Sequence, residues 1–320
     1  MIRSQGKMQP VSQGNRKEKE NPMKNKRIDL IGAKIDQGAS KRGVCIGPEA
    51  IRFAGICNGI QELGYELNDK GDLVQLKQGR TSEKLRNYDQ VIDMNKRLYE
   101  STMQSLNEGA FPIMLGGDHS AAAGTASAVA KKHGGNIGII WVDAHGDWNN
   151  DESSETGNMH GMPFSALCGW GPDCMVDYGQ GPAFVDPKHC VQIAGRDIDM
   201  EERKRMKEAG VTVFSIDVID RLGMREVVKR AIEIASNGTD GFHISFDIDC
   251  VSPEFAPGTG TTVHDGLTAR EAFLCMEMFA ECDNVLGLDM VEVNPILDEV
   301  NRTATLASEL VLSCLGKTVF

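Results

Sequence analysis

The sequence predicts an α/β protein: a single three-layer domain with a mainly parallel β-sheet flanked by helices on both faces. Short runs rich in β-branched and apolar residues alternate with helical stretches along most of the 320 residues. These runs are almost continuously apolar, as expected for strands that are buried on both faces of a parallel sheet. Neither an internal repeat nor a linker divides the chain, which favours one domain over two.

The first elements follow from local signals near the start of the folded region. Ile28 to Ile31 is predicted to be a strand, closed by Gly32. Pro48 then opens a predicted helix, because the first helical position needs no N–H donor. The apolar positions of that helix recur every three or four residues, at Phe53, Cys57, Ile60 and Leu63. A polar helix is predicted from about Ser82 to Asn107.

Strands and helices alternate in the remaining sequence. Further strands are predicted at Pro112 to Leu115, Ile137 to Val142, Cys190 to Ala194, Phe242 to Phe246 and Val285 to Val293. Amphipathic helices are predicted between some of them, for example Met224 to Ser236 and Arg270 to Cys282.

Composition and charge exclude several functional classes. A net charge of −12 argues against a nucleic-acid partner, which would need clustered Lys and Arg. No stretch reaches the roughly 18 apolar residues of a membrane span. The nine cysteines are scattered and include no CxxC pair. This pattern predicts reduced thiols and a cytoplasmic location, and makes a disulfide framework the weaker alternative.

The N-terminal segment differs from the rest of the chain. Residues 1 to 26 are polar and nearly free of large apolar side chains, so we expect a disordered extension. The segment has no apolar core of a secretory signal. The folded domain is therefore predicted to cover residues 27 to 320.

Polar clusters follow four of the predicted strands, and this placement indicates a site. Ligands of open α/β sheets bind beyond the carboxyl ends of the strands. In Asp143-Ala144-His145-Gly146-Asp147, alternate side chains of an extended backbone share one face. The clustered residues are Asp118, His119, Asp143, His145, Asp147, Asp247, Asp249 and Glu292. The alternative, that these Asp residues only cap strands and form turns, explains a single Asp-x-Asp better than it explains the whole set.

These side chains are suited to divalent metal ions. Four carboxylates and two neutral imidazoles would balance two M²⁺ ions and leave room for a bridging hydroxide. The oxygen-rich set favours a hard ion such as Mn²⁺ over structural zinc. Two metals about 3.5–4 Å apart activate water for hydrolysis. The chain has no GxSxG elbow, P-loop or GxGxxG motif that would favour another chemistry.

Several ordered motifs resemble the ureohydrolase family of arginases and agmatinases. They include Gly-Gly-Asp-His-Ser at 116–120, Asp-Ala-His-Gly-Asp at 143–147 and Ser-Phe-Asp-Ile-Asp at 245–249. The motifs Gly157 to Pro163 and Glu292-Val293-Asn294-Pro295 look specifically like arginase. The resemblance implies an arginase-like fold, two Mn²⁺ per subunit and a homo-oligomer, either a trimer or a hexamer.

The resemblance also implies the metal ligands and the reaction. One ion would be held by His119, Asp143, Asp147 and Asp247, and the other by His145, Asp143, Asp247 and Asp249. Metal-bridging hydroxide would hydrolyse L-arginine to L-ornithine and urea. Glu292 would hold the guanidinium, Asp147 would pass a proton to the departing amine, and His160 would shuttle protons to solvent.

Outer residues are assigned to the amino-acid end of the substrate by the same resemblance. Asn149, Thr156 and Asn158 would contact the α-carboxylate. Asp199 would contact the α-ammonium, and it also fits the N-cap of a helix that begins at Met200. Glu202 and Thr261 complete the implied substrate-binding set. A site with these groups would reject agmatine, which lacks the carboxylate.

Some residues depart from the family pattern, and other functions compete. Thr156 stands where Ser is common, Trp148 sits beside the ligand loop where it could narrow the cleft, and Cys250-Val251-Ser252 replaces Gly-Leu-Asp. The alternatives are a sister amidinohydrolase, acting on agmatine or a guanidino acid, and a non-catalytic metal-binding scaffold. A scaffold should lack a ligand, the shuttle or the guanidinium carboxylate, and this sequence lacks none.

Overall fold

A computed structural model describes residues 26–82 and 84–318 of the chain. Its centre is one eight-stranded sheet in which every pair of neighbouring strands is parallel. The strands are β1 Ile28–Lys34, β2 Leu67–Val74, β3 Phe111–Leu115, β4 Gly138–Val142, β5 Cys190–Ile193, β6 Thr212–Phe214, β7 Phe242–Asp247 and β8 Val285–Val291. Their order across the sheet is β2-β1-β3-β8-β7-β4-β5-β6. The predicted α/β class and three-layer domain are confirmed.

Helices cover both faces of the sheet. They are α1 Gly47–Phe53, α2 Ile56–Glu62, α3 Tyr88–Asn107, α4 Ala122–Lys132, α5 Pro163–Leu167, α6 Met200–Ala209, α7 Ile216–Leu222, α8 Met224–Ala235, α9 Ala269–Ala280 and α10 Arg302–Cys314. None of the helices in the described ranges has the length and apolarity to cross a membrane.

Two hydrophobic cores form on opposite faces because side chains alternate along each strand. On β3, Ile113 and Leu115 pack into the core that also receives α8, α9 and α10. Met114 points the other way, into the core under α3 and α4. The residues of β3, β4 and β7 are buried throughout, which explains the continuously apolar sequences of β3 and β4.

The prediction of one continuous helix from Pro48 is wrong. The chain breaks between α1 and α2, where Gly55 takes a left-handed φ of 98°. The break changes the direction of the chain, and Phe53 is therefore 86% exposed instead of lying on the buried face. Likewise, the polar helix begins at Tyr88 and not near Ser82.

The four strands that precede the polar clusters are neighbours in the middle of the sheet, in the order β3-β8-β7-β4. Because all of them are parallel, their carboxyl ends lie at the same edge. The predicted disordered extension, residues 1 to 26, lies outside the described residues except for its last member.

Candidate metal centre and substrate cavity

The metal-ligating side chains predicted from sequence come together at the carboxyl edge of the sheet. His119 follows β3, Asp143 follows β4 and Asp247 is the last residue of β7. The chain can turn sharply into the His119 segment only because Gly117 has no side chain: a Cβ there would lie 1.8 Å from the carbonyl oxygen of Ile35.

Three carboxylates converge on one nitrogen of His119. Its Nδ1 lies 3.0 Å from an oxygen of Asp143, 3.1 Å from one of Asp147 and 3.2 Å from one of Asp247. His119 Nδ1 and Asp147 Oδ2 are nevertheless buried without a well-formed hydrogen bond. An octahedral ion with ligands at about 2.1 Å separates adjacent ligands by about 3.0 Å. The spacing of these four atoms therefore fits a shared cation better than a hydrogen-bond network.

A second group of ligand-type atoms adjoins the first. His145 Nδ1 lies 3.0 Å from Asp249 Oδ2 and 3.5 Å from Asp143 Oδ1. Asp143 thus faces His119 with Oδ2 and His145 with Oδ1, so that one carboxylate belongs to both groups. This arrangement suits two ions that share a bridging carboxylate.

The electrostatics of the cluster also favour added positive charge. Burial and the neighbouring charge of Asp143 raise the pKa of Asp147 to about 6. Burial opposes a charge on His145, but Asp249 and Asp143 outweigh that effect and raise its pKa far above the ordinary value. The raised pKa values of Asp147 and His145 both show that the cluster favours added positive charge, which divalent cations would supply in place of protons.

Residues around the cluster fix the ligand orientations. Ser245 Oγ lies 2.9 Å from His119 Nε2, and Trp141 Nε1 donates to Asp143 Oδ2 at 3.0 Å. The indole also stacks on the His119 ring, with centroids 4.1 Å apart. The sequence interpretation missed both supporting residues. A signal existed, because each lies two residues before a ligand-type Asp and so on the same face of its strand.

Two more supporting residues contact backbone carbonyls. Gln192 Nε2 donates to the carbonyls of Asp143 and His145 at 3.0 and 2.9 Å. Arg196 donates to the carbonyls of Asp249 and Cys250 at 2.7 and 3.1 Å. These contacts hold the ligand-bearing loops together, and no local sequence pattern indicated them.

Strained backbone occurs at two of the predicted site residues. Asp147 and Glu292 have φ angles of 47° and 63°, which non-glycine residues rarely adopt. Such strain is typical of residues held in place for function.

A polar, open cavity of about 220 Å³ adjoins the cluster. Its walls include carboxylates of the cluster and every outer residue that the sequence assigned to the substrate. The lining residues are His145, Asp147, Asn149, Ser154, Thr156, Asn158, His160, Gly161, Asp197, Asp199, Glu202, Asp247, Asp249 and Thr261.

The acidic side of the cavity is built from the start of α6. Asp199 is the N-cap residue of this helix, as predicted, and its N–H donates to Glu202 Oε2 at 3.1 Å. Glu202 Oε1 accepts from the Trp148 N–H, and burial raises the pKa of Glu202 to about 7. Thr261 Oγ1 donates to Asp249 Oδ2 at 3.0 Å and so also orients a cluster carboxylate.

Glu292 and His160 form a pair at the inner end of the cavity. His160 Nδ1 lies 3.2 Å from Glu292 Oε1, which also accepts from the His119 N–H at 3.0 Å. Although burial opposes its charge, Glu292 raises the pKa of His160 to about 9. His160 lines the cavity, whereas Glu292 is buried behind the residues that line it.

The sequence-based expectation for Trp148 is wrong. Its side chain is fully buried and packs edge-on against Phe164, with ring centroids 4.9 Å apart. It therefore fills a core and does not narrow the cleft. The replaced segment Cys250-Val251-Ser252 is buried too, and none of its residues lines the cavity.

Comparisons with known proteins agree on one family. The family model described as "Arginase family" matches residues 26–316. The arginase of Bacillus caldovelox is 42% identical over 296 residues, which cover 91% of this chain and 99% of that protein. Its native structure superimposes with a TM-score of 0.89 at 41% identity, covering 92% of this chain and 100% of that one. Entamoeba histolytica arginase, solved in complex with L-ornithine, has a TM-score of 0.84 at 29% identity and covers 91% of this chain and 99% of its own.

Proposed function

This chain belongs to the arginase family, and we propose that it is a manganese-dependent arginase that hydrolyses L-arginine to L-ornithine and urea. One observation carries the proposal. Two groups of ligand-type atoms share Asp143 beside a cavity whose other walls carry the predicted amino-acid-binding side chains. Membership of this family indicates a hydrolase of guanidino C–N bonds, and the side chains of the cavity walls support L-arginine as the substrate.

The residues present fit two divalent ions. His119, Asp143, Asp147 and Asp247 would hold one ion, and His145 and Asp249 would hold the other together with Asp143 and Asp247. Oxygen donors dominate this set, which supports Mn²⁺. Two ions bound here would lower the pKa of a shared water and supply a nucleophile at neutral pH.

The remaining steps belong to side chains of this protein. The Glu292 carboxylate would accept hydrogen bonds from the guanidinium and so hold its carbon near the attacking water. Asp147, whose pKa is raised to about 6, would take a proton from that water and give it to the departing amine nitrogen. His160 lies beside Glu292 and lines the open cavity, a position suited to carry protons to solvent.

Selectivity for the amino acid would come from the outer walls of the cavity. Asn149, Thr156 and Asn158 would receive the α-carboxylate, while Asp199 and Glu202 would receive the α-ammonium. The L-ornithine complex of the Entamoeba histolytica arginase supports an amino-acid product for this site as well. Agmatine keeps the amino group but lacks the carboxylate, so it would leave Asn149, Thr156 and Asn158 without their partner.

Two other functions are less well supported. A sister amidinohydrolase would use the same metal-binding residues, but the walls that include Asn149, Asn158 and Asp199 favour an amino acid. A non-catalytic scaffold would need a missing ligand, shuttle or guanidinium carboxylate, and none is missing. As further parts of the proposal, the chain forms a trimer or hexamer and acts in the cytoplasm, without nucleic-acid or membrane partners. All nine cysteines are free, which supports a reducing compartment.

Urea release tests this proposal. Mn²⁺-loaded protein would be offered L-arginine, agmatine and a guanidino acid separately at one pH. Urea and ornithine from L-arginine alone are the expected result. Urea from agmatine alone would retain the chemistry but overturn the substrate assignment. No urea from any of them, with two metals bound, would overturn the enzyme proposal.

A further inference from the structure

One arginine beside the cavity has no assigned role. Arg86 lies just before α3, is exposed, and points Nη1 at the side-chain oxygen of Asn158 over 3.4 Å. This distance is long for a hydrogen bond. The guanidinium therefore acts on its surroundings chiefly through its charge.

The backbone at Arg86 is held close to the loop that carries Asn158. Its backbone N–H donates to the carbonyl of Gly157 at 2.9 Å, and the next residue, Asn87, donates from Nδ2 to the carbonyl of Gln37 at 2.8 Å. Asn158 is tied to the same region, because its Nδ2 donates to Ser40 Oγ at 2.7 Å. An amide nitrogen has two protons, so Asn158 keeps one for a ligand.

The cavity lining contains no positively charged Lys or Arg side chain that could attract a substrate carboxylate. The side chains of this lining include six carboxylates. The proposed ions would offset Asp147, Asp247 and Asp249, but Asp197, Asp199 and Glu202 remain on the outer wall, where their charge opposes the entry of a substrate carboxylate. Among the described residues no carboxylate pairs with Arg86, whereas Arg80 and Lys84 on the same segment pair with Asp89 and Asp151.

We propose that Arg86 is a specificity-determining residue, whose positive charge favours guanidino substrates that carry a carboxylate at the end remote from the guanidinium. This inference rests on the proposed function of the same site. Arg86 acts from behind Asn158: it attracts the carboxylate to the outer wall and keeps the Asn158 oxygen turned away from it.

The test compares variants that differ only in charge. Arg86→Gln should raise KM for L-arginine about two- to fivefold, the effect of a partly exposed charge pair, with kcat unchanged. Arg86→Lys keeps the charge and should stay within about twofold of the wild type. Arg80→Gln, an exposed arginine already paired with Asp89, is the matched control and should change nothing.

Two further readouts separate charge from structure. Inhibition by L-ornithine should weaken in Arg86→Gln by the same factor, while inhibition by putrescine, which lacks the carboxylate, should not weaken. The difference in KM for L-arginine between the wild type and Arg86→Gln should shrink as the salt concentration rises from 0.05 to 0.5 M. Charges are screened over roughly 10 Å at 0.1 M salt, so this range passes from weak to strong screening.

The outcomes for the two proposals are distinguishable. Equal KM values for L-arginine in the wild type and Arg86→Gln would overturn the role of Arg86 and leave the arginase proposal intact. Equal weakening of ornithine and putrescine would overturn it as well, because the effect would then not involve the carboxylate. A wild type that releases no urea from L-arginine would overturn the proposed function itself.

Discussion

His119 and Ser245 are joined by a hydrogen bond of 2.9 Å between the ring nitrogen Nε2 and the hydroxyl oxygen. With its proton on Nε2, the ring presents Nδ1 to the three surrounding carboxylates. A serine on β7 thus orients the ring of a histidine that follows β3, two strands away in the sheet.

Ser245→Ala should therefore weaken manganese binding. Outer partners of metal ligands contribute about 10–100-fold to affinity, and we expect a loss in that range by calorimetric titration. Ser127→Ala, which removes a buried hydroxyl bonded to the Gly124 carbonyl, is the control and should bind as the wild type does. Unchanged affinity in Ser245→Ala would mean that packing, including the Trp141 stack, suffices to orient the ring.

Asp199→Ala should reduce kcat/KM for L-arginine about 10–100-fold, because a hydrogen bond to the charged α-ammonium is lost. Metal content should not change, since Asp199 belongs to neither group of ligand-type atoms. Glu201→Ala removes an exposed carboxylate of the same helix and serves as the control. If metal is lost from Asp199→Ala, the residue has been misassigned.

His160→Asn should lower kcat, and added imidazole should restore part of the rate. The reason is that His160 is placed between Glu292 and the open cavity, where an exogenous base can replace it. His133→Asn, at a surface histidine paired with Asp240, should need no rescue. A His160→Asn enzyme with full activity would remove the shuttle role.

Asp36→Asn should change the pH dependence of stability. Burial alone would raise the pKa of Asp36, but the Cys45 thiol, the Gly43 N–H and Arg42 outweigh it and hold this pKa below the ordinary value. A lowered carboxyl pKa stabilises the fold above the unfolded pKa of about 4, and the effect is lost as pH falls through the folded value.

The wild type should therefore exceed Asp36→Asn by about 1–3 kcal/mol in free energy of unfolding at pH 7. Urea denaturation at several pH values should show the two proteins converging below about pH 4. A constant difference down to pH 3 would show that the ionisation of Asp36 makes no contribution.

The centre of the fold could be predicted from the sequence, but its edges could not. Strands β3 and β4 are buried on both faces and are continuous apolar runs, whereas β7 is equally buried and carries its polar side chains at alternate positions. The edge strand β2 is partly exposed and carries Asp, Lys and Asn, and β6 has only three residues, so neither gave a signal. The break at Gly55 was missed because the apolar spacing continues through it.

The ligand-type residues could be predicted because they occur in short motifs with recognisable chemistry. The direction of the Trp148 side chain could not, since neighbours in sequence do not reveal which side of a loop faces the core. Arg196 escaped prediction for a different reason: it acts on carbonyls more than 50 residues away in the chain. Such contacts become visible only in three dimensions.

The central claim is that two ions share Asp143, and manganese content per chain tests it most directly. Wild-type protein loaded with Mn²⁺ and desalted should hold two ions by elemental analysis, and Asp143→Asn should hold fewer because both groups lose a ligand. A wild type that holds only one ion, or an Asp143→Asn protein that still holds two at the same affinity, would contradict the account.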